Sequence, residues 1–281
     1  MTELSVFESL SLCTIRIECT HKNGARSSGT GFFVKYVDHG DTFVPAIITN
    51  KHVVTGAETG YLYFTLTDAG GRPNHDKHHV FSIENFQKPW LEHPDPNVDL
   101  CAMPINVFVD ELGKKGIKPF ITFLELNLIP TELDIAEMTG FEKIVMVGYP
   151  NGLWDMKHNQ PVLRSGVLAS HYKFDWNGKK EFVIDAACVP GSSGSPVLIA
   201  DVGQVYTRQG LNVGASRIKF LGVLYAGPVL SANGSIEIIP APTFDTVQAR
   251  TNIPINLGYV IKSEKVRDFE DIFKNELGKF K

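Results

Sequence analysis

Short apolar runs and alternating apolar–polar stretches, bounded by turn-forming residues, fill most of this chain. They fall at residues 13–18, 31–37, 45–49, 61–67, 100–105, 144–148, 182–186, 197–200, 220–224 and 257–261. Alternation with a period of two marks strands that bury one face, and many short strands separated by turn signals predict a sandwich or barrel. Helical spacing is confined to the edges. Residues 2–10 predict a short N-terminal helix. Residues 263–277 predict a stronger one, with Ser263 as N-cap, Glu264 in the first turn, and Val266, Phe269, Ile272, Phe273 and Leu277 on one apolar stripe. Such a stripe predicts a helix packed against the body of the domain. Between about 106 and 140, a short helix at 107–115, stopped by Gly116, and irregular segments join two strand-rich halves. No internal repeat or low-complexity tract is visible.

The 281 residues, 43% of them hydrophobic, are enough for one large domain or two small ones that bury a sizeable core. Charged residues amount to 21% and the net charge is −4, which argues against disorder and against a strongly basic nucleic-acid surface. Cys13, Cys19, Cys101 and Cys188 form no CxxC pair and no zinc spacing. On one strand, Cys13 and Cys19 would lie about 20 Å apart, too far for a disulfide, so buried free thiols in a reducing compartment are expected. The N-terminus MTELSVFESL lacks the basic start and apolar core of a secretory signal, and no stretch has the roughly 18–20 apolar residues of a membrane span. The expectation is a cytoplasmic chain without membrane or nucleic-acid partners. An Asn233-Gly234-Ser235 sequon carries little weight without a signal.

Three short segments carry chemistry. In Gly191-Ser192-Ser193-Gly194-Ser195-Pro196, a serine lies two residues after a glycine and just before another. A nucleophilic serine needs N–H groups aimed at the oxyanion that forms on the attacked carbonyl. Gly191 and Ser193 itself supply two such donors, and Gly194 allows the sharp turn that projects the hydroxyl. A serine hydroxyl also needs a base, and His52 follows the apolar strand 45–49, which would deliver it to a rim. The base needs an acceptor to fix its tautomer. Asp99 stands at the mouth of the run 100–105, where an unpaired carboxylate would be costly. Asp95, between Pro94 and Pro96, reads instead as a loop residue. The order His52, Asp99, Ser193 is one of the known arrangements of a Ser-His-Asp triad.

The chain resembles the trypsin-like, chymotrypsin-fold serine peptidases, nearest to the bacterial HtrA/Deg-type protease domain. Segments 29–34, 49–54 and 99–102 are similar to that group's glycine-rich strand, histidine motif and aspartate motif. Segments 147–152, 163–168, 185–196 and 258–261 are similar to its second-barrel strands and serine loop. The resemblance runs from about residue 10 to 262. It implies two packed six-stranded antiparallel β-barrels: residues 1–110 carrying His52 and Asp99, a linker at 111–140, residues 141–262 carrying Ser193, and a C-terminal helix at 263–281. It implies a serine endopeptidase without cofactor or metal, acting on protein or peptide substrates. Ala187 would form the base of the first substrate pocket beside Cys188, with Tyr225, Ala226 and Gly227 as its wall, which predicts a small or medium apolar residue before the cleaved bond. Three departures stand out. Ser195 replaces the usual glycine of the serine motif. Ser192 replaces the aspartate that receives a freshly cut N-terminus in animal enzymes. No PDZ domain is expected after the final helix.

Residues 228–256 form a long, proline-rich, weakly charged segment, and such segments are commonly lids or mobile loops. Either a gate over the cleft or a passive surface loop is expected there, and a gate would make activity depend on a regulatory partner or on homo-oligomer formation. The run His75-Asp76-Lys77-His78-His79 reads as a solvated loop rather than a metal site. A catalytically silent peptide-binding or scaffold protein of the same fold is the alternative to an enzyme. An esterase of the same mechanism is a third reading.

Overall fold

A computed structural model of the protein describes residues 3–40, 42–235 and 248–278. Helix α1 (Val6–Leu12) leads into strands β1 (Thr14–His21), β2 (Arg26–Tyr36) and β3 (Val44–Thr49). The single-turn helix α2 (Lys51–Val54) and strands β4 (Ala57–Thr67), β5 (Pro73–Glu84), β6 (Leu91–Glu92) and β7 (Cys101–Pro104) complete the first half. Helices α3 (Asn106–Lys114) and α4 (Glu132–Glu137) lie in the connection. The second half contains β8 (Lys143–Gly148), β9 (Val162–Leu168), β10 (Glu181–Asp185), β11 (Pro196–Asp201), the hairpin β12 (Gln204–Thr207) and β13 (Gly210–Val213), and β14 (Arg217–Ala226). The pair β15 (Val229–Ser235) and β16 (Gln248–Pro254) precedes β17 (Leu257–Lys262). Helices α5 (Glu264–Arg267) and α6 (Phe269–Gly278) follow.

The all-β class, the two packed β units and the C-terminal helix agree with the sequence. All ten expected apolar runs lie on or overlap strands. The second unit is a closed six-stranded barrel of order β10-β17-β14-β11-β8-β9. The first differs in detail from a six-stranded barrel. It is a seven-stranded antiparallel sheet of order β5-β4-β1-β2-β3-β7-β6, whose edge strands do not pair with each other. Its last strand is only two residues long, and the linker bonds to two inner strands, β4 and β2. Phe120 N–H donates to the Thr65 carbonyl, and Leu124 N–H to that of Phe33.

Local chemistry explains the helix ends. Ser5 and Glu8 form a reciprocal capping box, which starts α1 at Val6 rather than at residue 2. Ser263 makes no capping bond. Its hydroxyl faces the Tyr172 hydroxyl at 3.4 Å, and the expected single helix breaks at Asp268 into α5 and α6. The His75–His79 run is not a loop but part of β5. This edge strand keeps its charged residues largely solvated while pairing with β4 along its other side.

One apolar cluster crosses the seam between the halves. Phe32, Tyr36, Ile48 and Leu100 of the first pack with Val147, Leu198, Phe220 and Val223 of the second and with Val266, Phe269 and Phe273 of the terminal helices. The Phe32 and Phe220 rings meet edge to face at 5.3 Å. Both are fully buried, each stabilising the seam by about 1.5–3 kcal/mol. The Tyr36 hydroxyl donates to the Val266 carbonyl at 2.9 Å, tying the helices to β2. The seam is therefore a rigid floor for groups contributed from both sides.

Candidate active site

His52 lies in the single turn of α2, directly after β3. Asp99 lies just before β7, the strand paired to β3 in the register Thr49↔Cys101, so the ladder itself brings residues 52 and 99 together. The Asp99 Oδ2 is 2.5 Å from His52 Nδ1, and its Oδ1 accepts the His52 backbone N–H at 3.2 Å. An ionised carboxylate only accepts, so a neutral His52 ring held this way has its proton on Nδ1 and its lone pair on Nε2. Asn50, fully buried, donates from Nδ2 to the Asp99 carbonyl at 2.8 Å, fixing the backbone of the acid as well. Asp95 is not part of this pair. It is a loop residue whose carboxylate accepts from Asn97.

Two consecutive β-turns build the serine loop, and Ser193 lies in the second. Ser192 N–H donates to the Val189 carbonyl with Pro190 and Gly191 between them. Ser195 N–H donates to the Ser192 carbonyl with Ser193 and Gly194 between them. Gly191 (φ 83°) and Gly194 (φ 86°) take the third positions, where a turn of this kind needs positive φ. A Cβ on Gly194 would also overlap the Thr30 carbonyl oxygen, so only glycine fits. The Pro190 carbonyl accepts from Asn151 N–H at 2.5 Å and the Ser192 carbonyl from Ser195 N–H at 3.0 Å. In a trans peptide the N–H points opposite to the carbonyl, so the Gly191 and Ser193 N–H groups face away from those partners. Neither donates to another group among the described residues.

Thr30 N–H on β2 donates to the Ser193 carbonyl at 2.9 Å, and the Thr49 hydroxyl donates to the Thr30 carbonyl at 2.7 Å. The serine loop is thus bonded across the seam to the strand neighbouring the one that carries the histidine turn. The Ser193 hydroxyl itself donates to the Tyr225 carbonyl at 3.5 Å, and no hydrogen bond joins it to His52 among the described residues. That contact is at the long limit for a hydroxyl donor, so little opposes rotation of the side chain.

A cavity of about 190 Å³ opens beside Ser193, lined by Cys188, Val189, Pro190, Leu224, Ala226, Gly227 and Pro228. Of the residues expected to form the first substrate pocket, Cys188, Ala226 and Gly227 line this cavity, and Ala187 and Tyr225 do not. Ala187 is exposed, and its carbonyl accepts from Arg164. The Tyr225 ring turns to Tyr259, and its hydroxyl donates to Glu181 at 2.9 Å, which leaves the cavity unobstructed. Burial pushes the Cys188 thiol up to about 11, so it stays neutral at pH 7 and serves as an apolar wall rather than a second nucleophile. Sequence reasoning missed Asn50, Val189, Pro190, Leu224 and Pro228. The first is a polar residue beside the histidine, and the rest flank residues already singled out.

The sequence profile of the trypsin-like peptidase domain family matches residues 29–206, which hold the histidine turn, the acid and the serine loop. The chain belongs to that family. Solved structures resembling this trypsin-like peptidase domain include a serine endoprotease from Yersinia pestis (13% identity, 96% of this chain and 67% of that one, TM-score 0.47). The HtrA-type protease AlgW with a tripeptide is another (14% identity, 95% and 64%, TM-score 0.48). A third is the Tobacco Etch Virus protease (15% identity, 98% and 82%, TM-score 0.49). A search of the curated proteins finds no match. No helix among the described residues of this peptidase domain is long and apolar enough to cross a membrane. All four cysteines are buried and free, as expected. The centre of the segment expected to be a gate or a passive loop, 236–247, lies outside the described residues, and the arms on either side pair as β15 and β16.

Proposed function

We propose that the chain is a serine endopeptidase in which Ser193 is the nucleophile, His52 the general base and acid, and Asp99 the group that orients His52. The observation that carries this reading is the two-point contact of Asp99 with His52, in a family of peptidases, across a seam from a serine in the second of two glycine turns. Rotation of the Ser193 side chain away from the Tyr225 carbonyl frees its hydroxyl to meet Nε2. The oxygen then attacks the peptide carbonyl carbon as its proton passes to Nε2. The carbonyl electrons move to the oxygen, which the Gly191 and Ser193 N–H groups receive. Collapse of the adduct breaks the C–N bond, Nε2 returns the proton to the departing amine, and water repeats the sequence to release the acid. The small apolar cavity supports a preference for a small or medium apolar side chain before the cleaved bond.

The test is labelling by a fluorophosphonate together with cleavage-site profiling on a peptide library, each compared with Ser193→Ala. Labelling and apolar-directed cleavage, both lost in the variant, are expected. A wild-type protein that neither labels nor cleaves, yet binds peptides, would establish the scaffold reading instead. Cleavage of esters but not peptides would make it an esterase.

A further inference from the structure

We infer that a buried chain of two hydroxyls, Ser195 to Thr30, helps set the direction of the Gly191 oxyanion donor, and that Thr30 is a positioning residue for the reaction. This rests on the acyl-transfer reading above. Thr30 and Ser195 are 0% and 1% exposed. The Ser195 hydroxyl donates to Thr30 Oγ1 at 3.3 Å, the Tyr149 N–H donates to the same oxygen at 3.0 Å, and the Thr30 hydroxyl donates onward to the Gly191 carbonyl at 3.2 Å. A hydroxyl has one proton to give and two lone pairs to fill, and Thr30 uses all three. The two peptides flanking the Gly191 α-carbon are therefore both held. The Asn151 N–H takes the carbonyl before it. The Thr30 hydroxyl takes the carbonyl after it, while that second peptide's own N–H is bound to Val189. With both peptide planes fixed, the Gly191 N–H has one direction available.

The arrangement gives the residue at 195 a purpose. A Cβ on Gly148 would overlap the Ser195 hydroxyl and crowd that of Thr30, so the bare backbone of β8 makes room for the pair. Thr30 also donates its backbone N–H to the Ser193 carbonyl. A single residue of the first unit thus grips the second unit's nucleophile loop at two carbonyls.

The experiment compares Thr30→Val, Thr30→Ser and Ser195→Ala with wild type. It measures kcat and KM on a cleaved peptide, the affinity of a peptide aldehyde whose serine adduct carries an oxyanion, and thermal melting. Thr30→Val is expected to lower kcat about tenfold to fiftyfold, less than the loss of a direct donor, with KM unchanged. Aldehyde affinity should weaken by the same factor, and Thr30→Ser should restore both. Ser195→Ala, which removes only the first donor of the chain, should lose about twofold to fivefold in kcat. A cooperatively folded Thr30→Val with kcat and aldehyde affinity within twofold of wild type would overturn the inference. Should that variant fail to fold, wild-type kcat and aldehyde affinity in Ser195→Ala would do the same. If wild-type protein neither cleaves nor forms the aldehyde adduct, the peptidase reading falls, and this inference with it.

Discussion

Asp99 grips His52 at the ring and at the backbone, with Oδ2 on Nδ1 at 2.5 Å and Oδ1 on the main-chain N–H at 3.2 Å. A carboxylate bound at both points cannot turn without losing one of them, so the orientation of the imidazole and the location of its proton are set together. In Asp99→Asn, an amide that presents its NH₂ to the ring would leave the proton on the wrong nitrogen. The expected outcome is a loss of about 10⁴ in kcat with KM little changed. Steady-state kinetics on a peptide substrate check it, and a loss below tenfold would remove Asp99 from the proposed machinery.

Asn50 extends that grip to the backbone of the acid. Its Nδ2 reaches the Asp99 carbonyl at 2.8 Å from a fully buried position. Asn50→Ala leaves that carbonyl without this donor and should cost about 1–3 kcal/mol of stability. Because residue 50 precedes the histidine turn, kcat should fall as well, with KM held. Denaturant melts and kinetics on the same preparation check both, and unchanged values in both would assign Asn50 no positioning role.

Much of this arrangement was legible in the sequence, for identifiable reasons. Period-two runs revealed the strands because each buries one face, and His52, Asp99 and the glycine-flanked Ser193 stood at run ends or in a turn. β5 was not legible. Its histidine and charge cluster reads as a loop, and only pairing with β4 makes it a strand. The exposed hairpin β12–β13 buries too little to leave an apolar pattern. The pocket lining was half-legible for a similar reason. Which face of residues 224–228 meets the cavity depends on the irregular β14–β17 register at Leu224–Ala226, which diverts Tyr225 toward Glu181. No period-two rule anticipates a register shift.

The cavity beside Ser193 gives a specificity prediction. Ala226 lines it, and three further carbons there would occupy much of its roughly 190 Å³. Ala226→Leu should shift cleavage toward alanine and glycine before the cleaved bond, with the ratio of kcat/KM for valine over alanine falling about tenfold to 200-fold. Profiling wild type and variant on matched peptides checks this. An unchanged ratio would mean that another cavity selects that residue.

His93 supplies a prediction about acid stability. Its side chain is buried against the Phe269 ring. The Asp95 N–H donates to Nδ1 at 3.0 Å, so the neutral ring carries its proton on Nε2. That nitrogen faces the Lys265 carbonyl at 3.1 Å and Asp268 Oδ2 at 3.2 Å, with the Lys265 ammonium 3.1 Å from the same carboxylate. Burial, outweighing the favourable pull of the Asp95 carbonyl and of Asp268, holds the imidazole below its ordinary value. Protonation would also put a second proton against the Asp95 donor. The unfolded chain therefore binds a proton more readily than the folded one. The contribution of His93 to stability is complete above about pH 6.5, the ordinary histidine value, and is lost as pH falls toward the depressed folded value. Wild type should lose more melting temperature between pH 7.5 and pH 5 than His93→Gln, which cannot titrate. Since all other groups are shared, the difference between the two slopes isolates this ring. Parallel slopes would mean that His93 titrates alike in the folded and unfolded states, and that its contact with the terminal helices carries no proton-linked stability.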